Sequence, residues 1–468
     1  MKKYYNPDNP KALSPVDGRE HRYTYDLQDF LSEFALMKYR TMVICLYFIE
    51  LSEAGISREL TIKERKLLTD IYENFGEQSF EEIKEIEEIT NHDVKAVEYF
   101  IKQRIAGTSL DELKEMIYFG LTADDVNNLA YALMVRDALK NVYFPGMGIL
   151  LEKLAGMIEE FGNAKMLGRT HGQPASPTTM GKELAVFAQR LKKNTEELLE
   201  VRTDGKLSGA VGSYNSFIAA YPAFDWLGFS KKFVSKLGLE PNIYTTQIEG
   251  YVNLMRAFQI MERNNLVLIN LSQDIWRYIS DSYFMLRAKR EEVGSSAMPH
   301  KVNPIDFEIA EGNLEISNAL LHSFVNTMSI TRLQRDLSDE TPKRNIGVAF
   351  AHAIIGIRYF IDGLAKLDAD REKMLADLNN NPEVISEGIQ TIMRAAGVEK
   401  PYEKMKGLTR GKKVTLQEIH SYIRDLELPS DLENKLLSLR PENYVGLSEK
   451  LAELAAEDLK KFIVKLKQ

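Results

Sequence analysis

The chain has 468 residues, of which 27% are charged and 44% apolar, a balance that excludes a disordered protein and leaves room for two or three domains around a large core. Its net charge of −8 excludes general attraction to nucleic acid or to an anionic membrane surface. A single cysteine excludes an internal disulfide or a zinc cluster; Cys45 lies in the apolar run 42–49, which reads as packed core and falls far short of a membrane span.

The first ten residues are polar, with Asn, Asp and Pro, and lack the pattern of a signal peptide, so a soluble cytoplasmic protein is expected. Residues 1–30 read as an irregular arm with a turn-rich segment from Ser14 to Arg19. Helical periodicity begins with Phe34, Met37, Met42 and Leu46, and the charged segment from Glu77 to Glu88 is expected to present a solvated face. Thr90-Asn91-His92-Asp93 looks like a capped start of a further helix carried by Val94, Val97 and Ile101. A loop at 107–110 places the first boundary nearby. Thr122 and Asp125 have capping-box spacing, with Asp in place of the usual Glu or Gln, ahead of Val126, Leu129, Leu133 and Val135.

From there to about residue 365 the pattern is long amphipathic helices with few prolines, and runs of alternating β-branched residues are nearly absent. That predicts an all-α fold with a central bundle. Leu184, Val186, Phe187 and Leu191 make one helix apolar on several faces, which calls for several neighbours and suggests an oligomeric core. Asn379-Asn380-Asn381-Pro382 marks a second break. The expected organisation is an N-terminal helical domain with its arm (1–111), a central helix bundle (112–366) and a C-terminal helical domain (367–468). Gly146-Met147-Gly148 lacks a third glycine and a preceding strand, so no dinucleotide site is expected.

The stretch 294–304, Gly-Ser-Ser-Ala-Met-Pro-His-Lys-Val-Asn-Pro, stands apart from the helical patterns around it. Its two prolines bar a helix interior, and it holds hydroxyls, an imidazole, an ammonium and an amide. Asn303 as N-cap, Pro304 at the first helical position and Asp306 in the first turn predict that the loop feeds a helix N-terminus, which favours anions. Of the seven histidines, His92, His171 and His300 lie in loop-like contexts, and the others read as structural; His352 is expected to be a bundle residue. His171, in Gly168-Arg169-Thr170-His171-Gly172-Gln173-Pro174, is expected in a short turn between helices, either held by local hydrogen bonds or placed as an acid or base; a helix is expected to restart at Ser176-Pro177. No histidine or carboxylate spacing suggests a metal site. Arg19, Lys301, Arg335 and Arg344, with two helix N-termini, suggest an anionic substrate.

These segments together resemble a known family. The 294–304 loop looks like the signature loop of the fumarase/aspartase superfamily, and within it the chain most resembles the bacterial adenylosuccinate lyase family. The resemblance extends to 14–19, 90–95, 169–174, 334–337, 399–404 and 408–412, and so to nearly the whole chain. It implies an all-helical, three-domain subunit whose central bundle forms a homotetramer with active sites shared among three subunits. It implies a carbon–nitrogen lyase of purine nucleotide synthesis that removes fumarate from adenylosuccinate, giving AMP, and from the succinyl-carboxamide ribotide SAICAR, giving AICAR, with no cofactor and no metal.

By the same resemblance Ser295 is the general base and His171 the general acid, with His92 assisting and Glu308 orienting His171. Lys301 and Asn303 hold a carboxylate. Thr122, Gln247, Ser296, Asn91 and Asp93 lie at the substrate, and Arg19, Arg335 and Arg344 face its phosphate. Three positions depart from the family pattern: Glu20 stands where Tyr is usual, Ala123 where Ser is usual, and Glu340 where Ser is usual. The two glutamates place negative charge on the phosphate side. The alternative reading is therefore a fumarate-releasing lyase of the same superfamily with a different succinyl or dicarboxylate substrate.

Overall fold

The computed structural model describes residues 9–287, 297–298, 300–411 and 413–467. The fold is all-α, as the periodicity predicts: long helices carry the core, and among the described residues the only sheets are three two-stranded ones. The chain divides into two compact units. One comprises 1–146, 194–266 and 312–358; the other comprises 147–193, 267–311 and 359–468.

In the first unit the helix Glu33–Glu53 is the central post. It buries Leu36, Met37, Ile44, Cys45, Tyr47, Phe48 and Leu51, and its N-terminus is capped by the Ser32 hydroxyl, which accepts from the Ala35 N–H at 3.0 Å. Against it pack the helices Ile62–Glu73, Asp93–Ile105 and Ala123–Ala138. The acidic helix Glu77–Thr90 buries only Ile83, consistent with the solvated face expected of it. Beside the chain turn at 117–122, Phe119, Phe217 and Trp226 pack ring against ring, with centroids 4.9 to 6.2 Å apart. His352 is a buried bundle residue, as expected; its Nδ1 lies 2.8 Å from Asn313 Oδ1, and burial lowers its pKa.

The arm is more regular than the sequence implies. Short helical turns occupy His21–Thr24, Tyr25–Leu27 and Gln28–Leu31, and Arg358 bonds both the Tyr23 carbonyl and the Asp26 carboxylate. An arginine anchor from a distant helix is invisible to local periodicity.

In the second unit a β-hairpin, Lys165–Thr170 paired antiparallel with Gln173–Thr179, packs against the helix Arg371–Asn379. Leu167 on the hairpin joins a core with Leu378, Ile385, Ile389, Met393, Ile419 and Ile423. The helix expected at Ser176-Pro177 begins instead at Met180, because Gln173–Thr179 is a strand. Gly181 sits so close to Gly162 that an added Cβ would lie 2.6 Å from its Cα, so bare backbone is required where that helix starts. The helix Ile346–Leu364 is long and apolar enough to cross a membrane by length and composition, but 72% of its apolar window is buried within the fold.

Candidate active site

In the first unit His92, Thr122, Gln247, Arg335 and Arg344 line one cavity of about 640 Å³. Asn91 ends the helix Glu77–Thr90 in the left-handed conformation, with φ 49°, which Asn tolerates better than most residues. His92 then caps the helix Asp93–Ile105. Its Nδ1 accepts from the Lys95 N–H at 3.3 Å, which leaves the ring proton of the neutral imidazole on Nε2, and its side chain is 53% exposed. The segment read as a capped helix start is therefore one, with the histidine itself as the cap.

Asp93 binds two arginines through one oxygen: Arg40 and Arg344 each approach Oδ2 to 2.9 Å, while Oδ1 accepts the Val94 N–H at 2.8 Å. Arg40 is fully buried, and its Nε donates to Asn127 Oδ1 at 2.9 Å. Burial alone would raise the Asp93 pKa, but Arg40, the Val94 N–H and Arg344 outweigh it and hold the carboxyl below its ordinary value. A depressed carboxyl stabilises the fold above its unfolded pKa, about 3.9, and that stability is lost as pH falls through the lower folded value. Asp93→Asn is thus expected to lower the denaturant midpoint at pH 7 and pH 5. The gap to the unmodified chain should close as pH drops below about 4. A gap that stayed constant across that range would show that charge at Asp93 is not the source.

Thr122 caps the helix Ala123–Ala138, and its N–H donates to Asp125 Oδ2 at 2.9 Å, half of the capping box read from sequence. Asp125 also ties this helix start to the segment 206–209. It accepts from Ser208 N at 2.9 Å and Gly209 N at 3.1 Å, and pairs with Lys206 Nζ at 3.0 Å, both side chains wholly buried. Gln247 is fixed at both ends, with its N–H to Gln334 O at 3.1 Å and its Nε2 to Ala210 O at 2.8 Å. Nearby Gly212 has φ +79°, and a Cβ there would lie 2.0 Å from Thr245 O, so only glycine fits this turn.

Arg335 and Glu340, also in the cavity lining, belong to a charge cluster with the buried Asp124, Asp339 and Lys343. Arg335 donates from Nη1 to Asp339 Oδ1 at 2.7 Å and from Nη2 to Glu340 Oε1 at 2.9 Å. Among the described residues Asp124, Asp339 and Glu340 form the one acidic group compact enough to share a metal ion, yet Lys343 Nζ already lies 2.9 Å from Asp339, 3.0 Å from Glu340 and 3.6 Å from Asp124. The cation of this cluster is a lysine. Burial works against its charge, but the Tyr251 hydroxyl, Asp124, Glu340 and Asp339 keep its pKa well above the ordinary value. Burial raises the pKa of Asp124, whose two oxygens accept no hydrogen bond.

Asp124 and Lys343 were not singled out from sequence. The available signals were the second acid beside the capping Asp125 and the i,i+3 and i,i+4 spacing of Glu340 and Asp339 to Lys343. Arg19 does not line this cavity; it is largely exposed and bonds its neighbour Glu20 at 3.1 Å.

In the second unit His171 stands at the tip of the hairpin. Thr170 pairs with Gln173, leaving a two-residue loop in which His171 has φ 54° and Gly172 φ 73°. Two left-handed residues make the turn that matches strand twist, and it projects the imidazole outward. His171 is exposed and makes no hydrogen bond among the described residues; in particular it does not reach Glu308, which is exposed in the first turn of the helix Ile305–Thr327. That helix starts one residue later than expected, with Pro304 as the cap, its carbonyl accepting the Phe307 N–H at 3.1 Å. Lys301 is exposed and its N–H donates to Met298 O at 3.1 Å; Asn303 is half-buried. Ser295 and Ser296 lie outside the described residues.

Comparison with known proteins shows the family. Residues 29–315 match the family described as "Lyase", and residues 331–445 match "Adenylosuccinate lyase C-terminal". The chain is 45% identical over 444 residues to an adenylosuccinate lyase of Legionella pneumophila (strain Corby), covering 94% of this chain and 97% of that one. It is 42% identical to the adenylosuccinate lyases of Vibrio cholerae (94% and 98% covered) and Escherichia coli K12 (93% and 96%). Among solved structures, a fumarate lyase from Mesorhizobium sp. BNC1 superposes with a TM-score of 0.75 at 16% identity, covering 92% of this chain and 97% of that one. The 3-carboxy-cis,cis-muconate lactonizing enzyme from Pseudomonas putida does so at 0.73 and 15%, covering 94% and 98%; at such identities the likeness concerns the fold alone. With near end-to-end identity of this size, the chain belongs to the adenylosuccinate lyase family of the fumarase/aspartase superfamily.

Proposed function

We propose that this chain eliminates fumarate from adenylosuccinate, leaving AMP, and from SAICAR, leaving AICAR, as a cytoplasmic enzyme of purine nucleotide synthesis. The observation that carries this reading is 45% identity over 94% of the chain to an adenylosuccinate lyase. In the proposed reaction Ser295, as its alkoxide, removes the proton from the carbon next to a succinyl carboxylate. The electron pair left behind forms a dianion, which Lys301 and Asn303 stabilise where the charge develops. Collapse of that dianion breaks the C–N bond, and His171 protonates the departing nitrogen. The bookkeeping closes with protons alone, so no cofactor or metal is needed.

His92, whose Nδ1 caps a helix start, and Thr122 and Gln247, each pinned by its own backbone, serve to orient the substrate. Arg335 and Arg344 take the phosphate. The reading includes a homotetramer whose sites combine residues of three subunits, with Glu308 orienting His171 across an interface; the outward projection of His171 supports this.

The test is fumarate release by the purified protein, followed by absorbance with adenylosuccinate, with SAICAR and with the dephosphorylated succinyl nucleoside. Rapid release from the two nucleotides and poor release from the nucleoside is expected. Equal or better release from the nucleoside or from another succinyl compound favours the alternative, a lyase of the same superfamily with a different substrate.

A further inference from the structure

We propose that Glu340 is a specificity-determining residue: its carboxylate holds, on Arg335, the place that the substrate's phosphate must take, and Lys343 retains it once it is displaced. The inference rests on the reading that a phosphate docks on Arg335.

Arg335 and Glu340 line the same cavity as Arg344, so this wall is where an anion entering the cavity would meet positive charge. Two of the five Arg335 N–H donors are already engaged by carboxylates: one on Nη1 by Asp339 and one on Nη2 by Glu340 Oε1. Of these two acids, Asp339 is fixed: its side chain is 1% exposed, and it also pairs with Lys343 at 2.9 Å. Glu340 is seated less well. Its single oxygen Oε1 takes both the Arg335 and the Lys343 bond, while Oε2 is buried and accepts no hydrogen bond. Of the two acids on Arg335, Glu340 is the more exposed, at 18% against 1% for Asp339, and its buried Oε2 costs desolvation with no bond in return, so it is the one placed to yield.

Lys343 gives the displaced carboxylate somewhere to stay. Its ammonium is fully buried, 5.5 Å from the ring centroids of both Tyr131 and Tyr251, and 3.3 Å from the Tyr251 hydroxyl. It lies one helical turn from Glu340, so a change of rotamer at Glu340 can break the Arg335 bond and keep the Lys343 bond. A phosphate dianion carries more charge and more acceptor oxygens than one carboxylate oxygen, so it outcompetes Glu340 for the guanidinium. A singly charged or uncharged group in its place does not. The exchange sets a threshold that admits phosphorylated ligands at the expense of their affinity.

The test compares the unmodified enzyme with Glu340→Gln and Glu340→Ser, using adenylosuccinate, the dephosphorylated succinyl nucleoside, and inorganic phosphate as a competitive inhibitor. In both variants the KM for adenylosuccinate and the inhibition constant of phosphate are expected to fall about tenfold, the scale of one charge-assisted hydrogen bond. The KM for the nucleoside should move less than about twofold, a split that a merely structural role for Glu340 would not produce. An unchanged or raised KM for adenylosuccinate in both variants, or equal shifts for the two substrates, overturns the proposal. If the unmodified enzyme itself prefers the nucleoside, the reading of Arg335 as a phosphate site fails, and the proposal with it. If the preference for the nucleotide is intact and position 340 is silent, only the role of Glu340 is lost.

Discussion

Replacing His171 is expected to cut the turnover of adenylosuccinate by about 10² to 10⁴-fold, the usual contribution of a positioned general acid. The side chain is exposed at a hairpin tip and bonds nothing among the described residues, so its removal takes little packing away. The backbone is a separate matter. At φ 54° alanine pays for a left-handed conformation, about 1 kcal/mol, whereas asparagine tolerates it. His171→Asn therefore isolates the chemistry from the turn. Both variants should lose turnover alike, while only His171→Ala loses a little stability in thermal unfolding. Turnover within threefold of the unmodified enzyme in His171→Asn would remove the residue from its role as acid. Ser295→Ala should fail at least as badly, since no proton is then taken from carbon. If sites are shared among subunits, dissociating and remixing the two inactive variants should restore part of the activity, because some sites then combine an intact His171 with an intact Ser295.

The sequence made much of this legible where the signal is local. The capping pair Thr122 and Asp125, the helix start at 90–93 and the buried His352 follow from spacing and from polarity alone, and the structure has all three. What local pattern misreads is set by distant partners. Gln173–Thr179, with two prolines and two threonines, has no alternating apolar signature; it is a strand because Lys165–Thr170 pairs with it and Leu167 anchors the pair in a core built from residues past 378. Glu340 read as a stray negative charge on the phosphate side, since nothing in a linear pattern shows that Lys343 and Arg335 already neutralise it. Lys343 itself looks like any surface lysine of a short helix until the fold buries it between two tyrosines. A charge run states which groups are present, and only packing decides which of them face each other.

The largest effect on stability is expected at Asp125. Its carboxylate and the ammonium of Lys206 are both wholly buried, 3.0 Å apart, and the carboxylate also accepts three backbone N–H groups, from Thr122, Ser208 and Gly209. Burying two charges is costly in itself, so the pair is a weak net contributor while intact, but breaking it strands a buried charge. Among the described residues, Asp125→Asn leaves the Lys206 ammonium bonded only to the Gly209 carbonyl, at 3.1 Å, and turns an amide donor toward groups that are themselves donors. The expected cost is about 3–5 kcal/mol, a large share of the roughly 5–15 kcal/mol available to a folded domain. Denaturant unfolding should show it as a much lower midpoint. Adding Lys206→Met to Asp125→Asn removes the stranded charge and should recover at least about 1 kcal/mol, so the two substitutions are coupled rather than additive. Simple additivity would mean that the ammonium finds water or another partner when the carboxylate goes. Because Asp125 fixes the start of the helix that carries Thr122 and Asp124 into the cavity wall, loss of the pair should also raise the KM for substrate in whatever fraction still folds. The double variant should restore the midpoint more fully than the KM, since a methionine can refill the core but cannot pull Ser208 and Gly209 back onto the helix start.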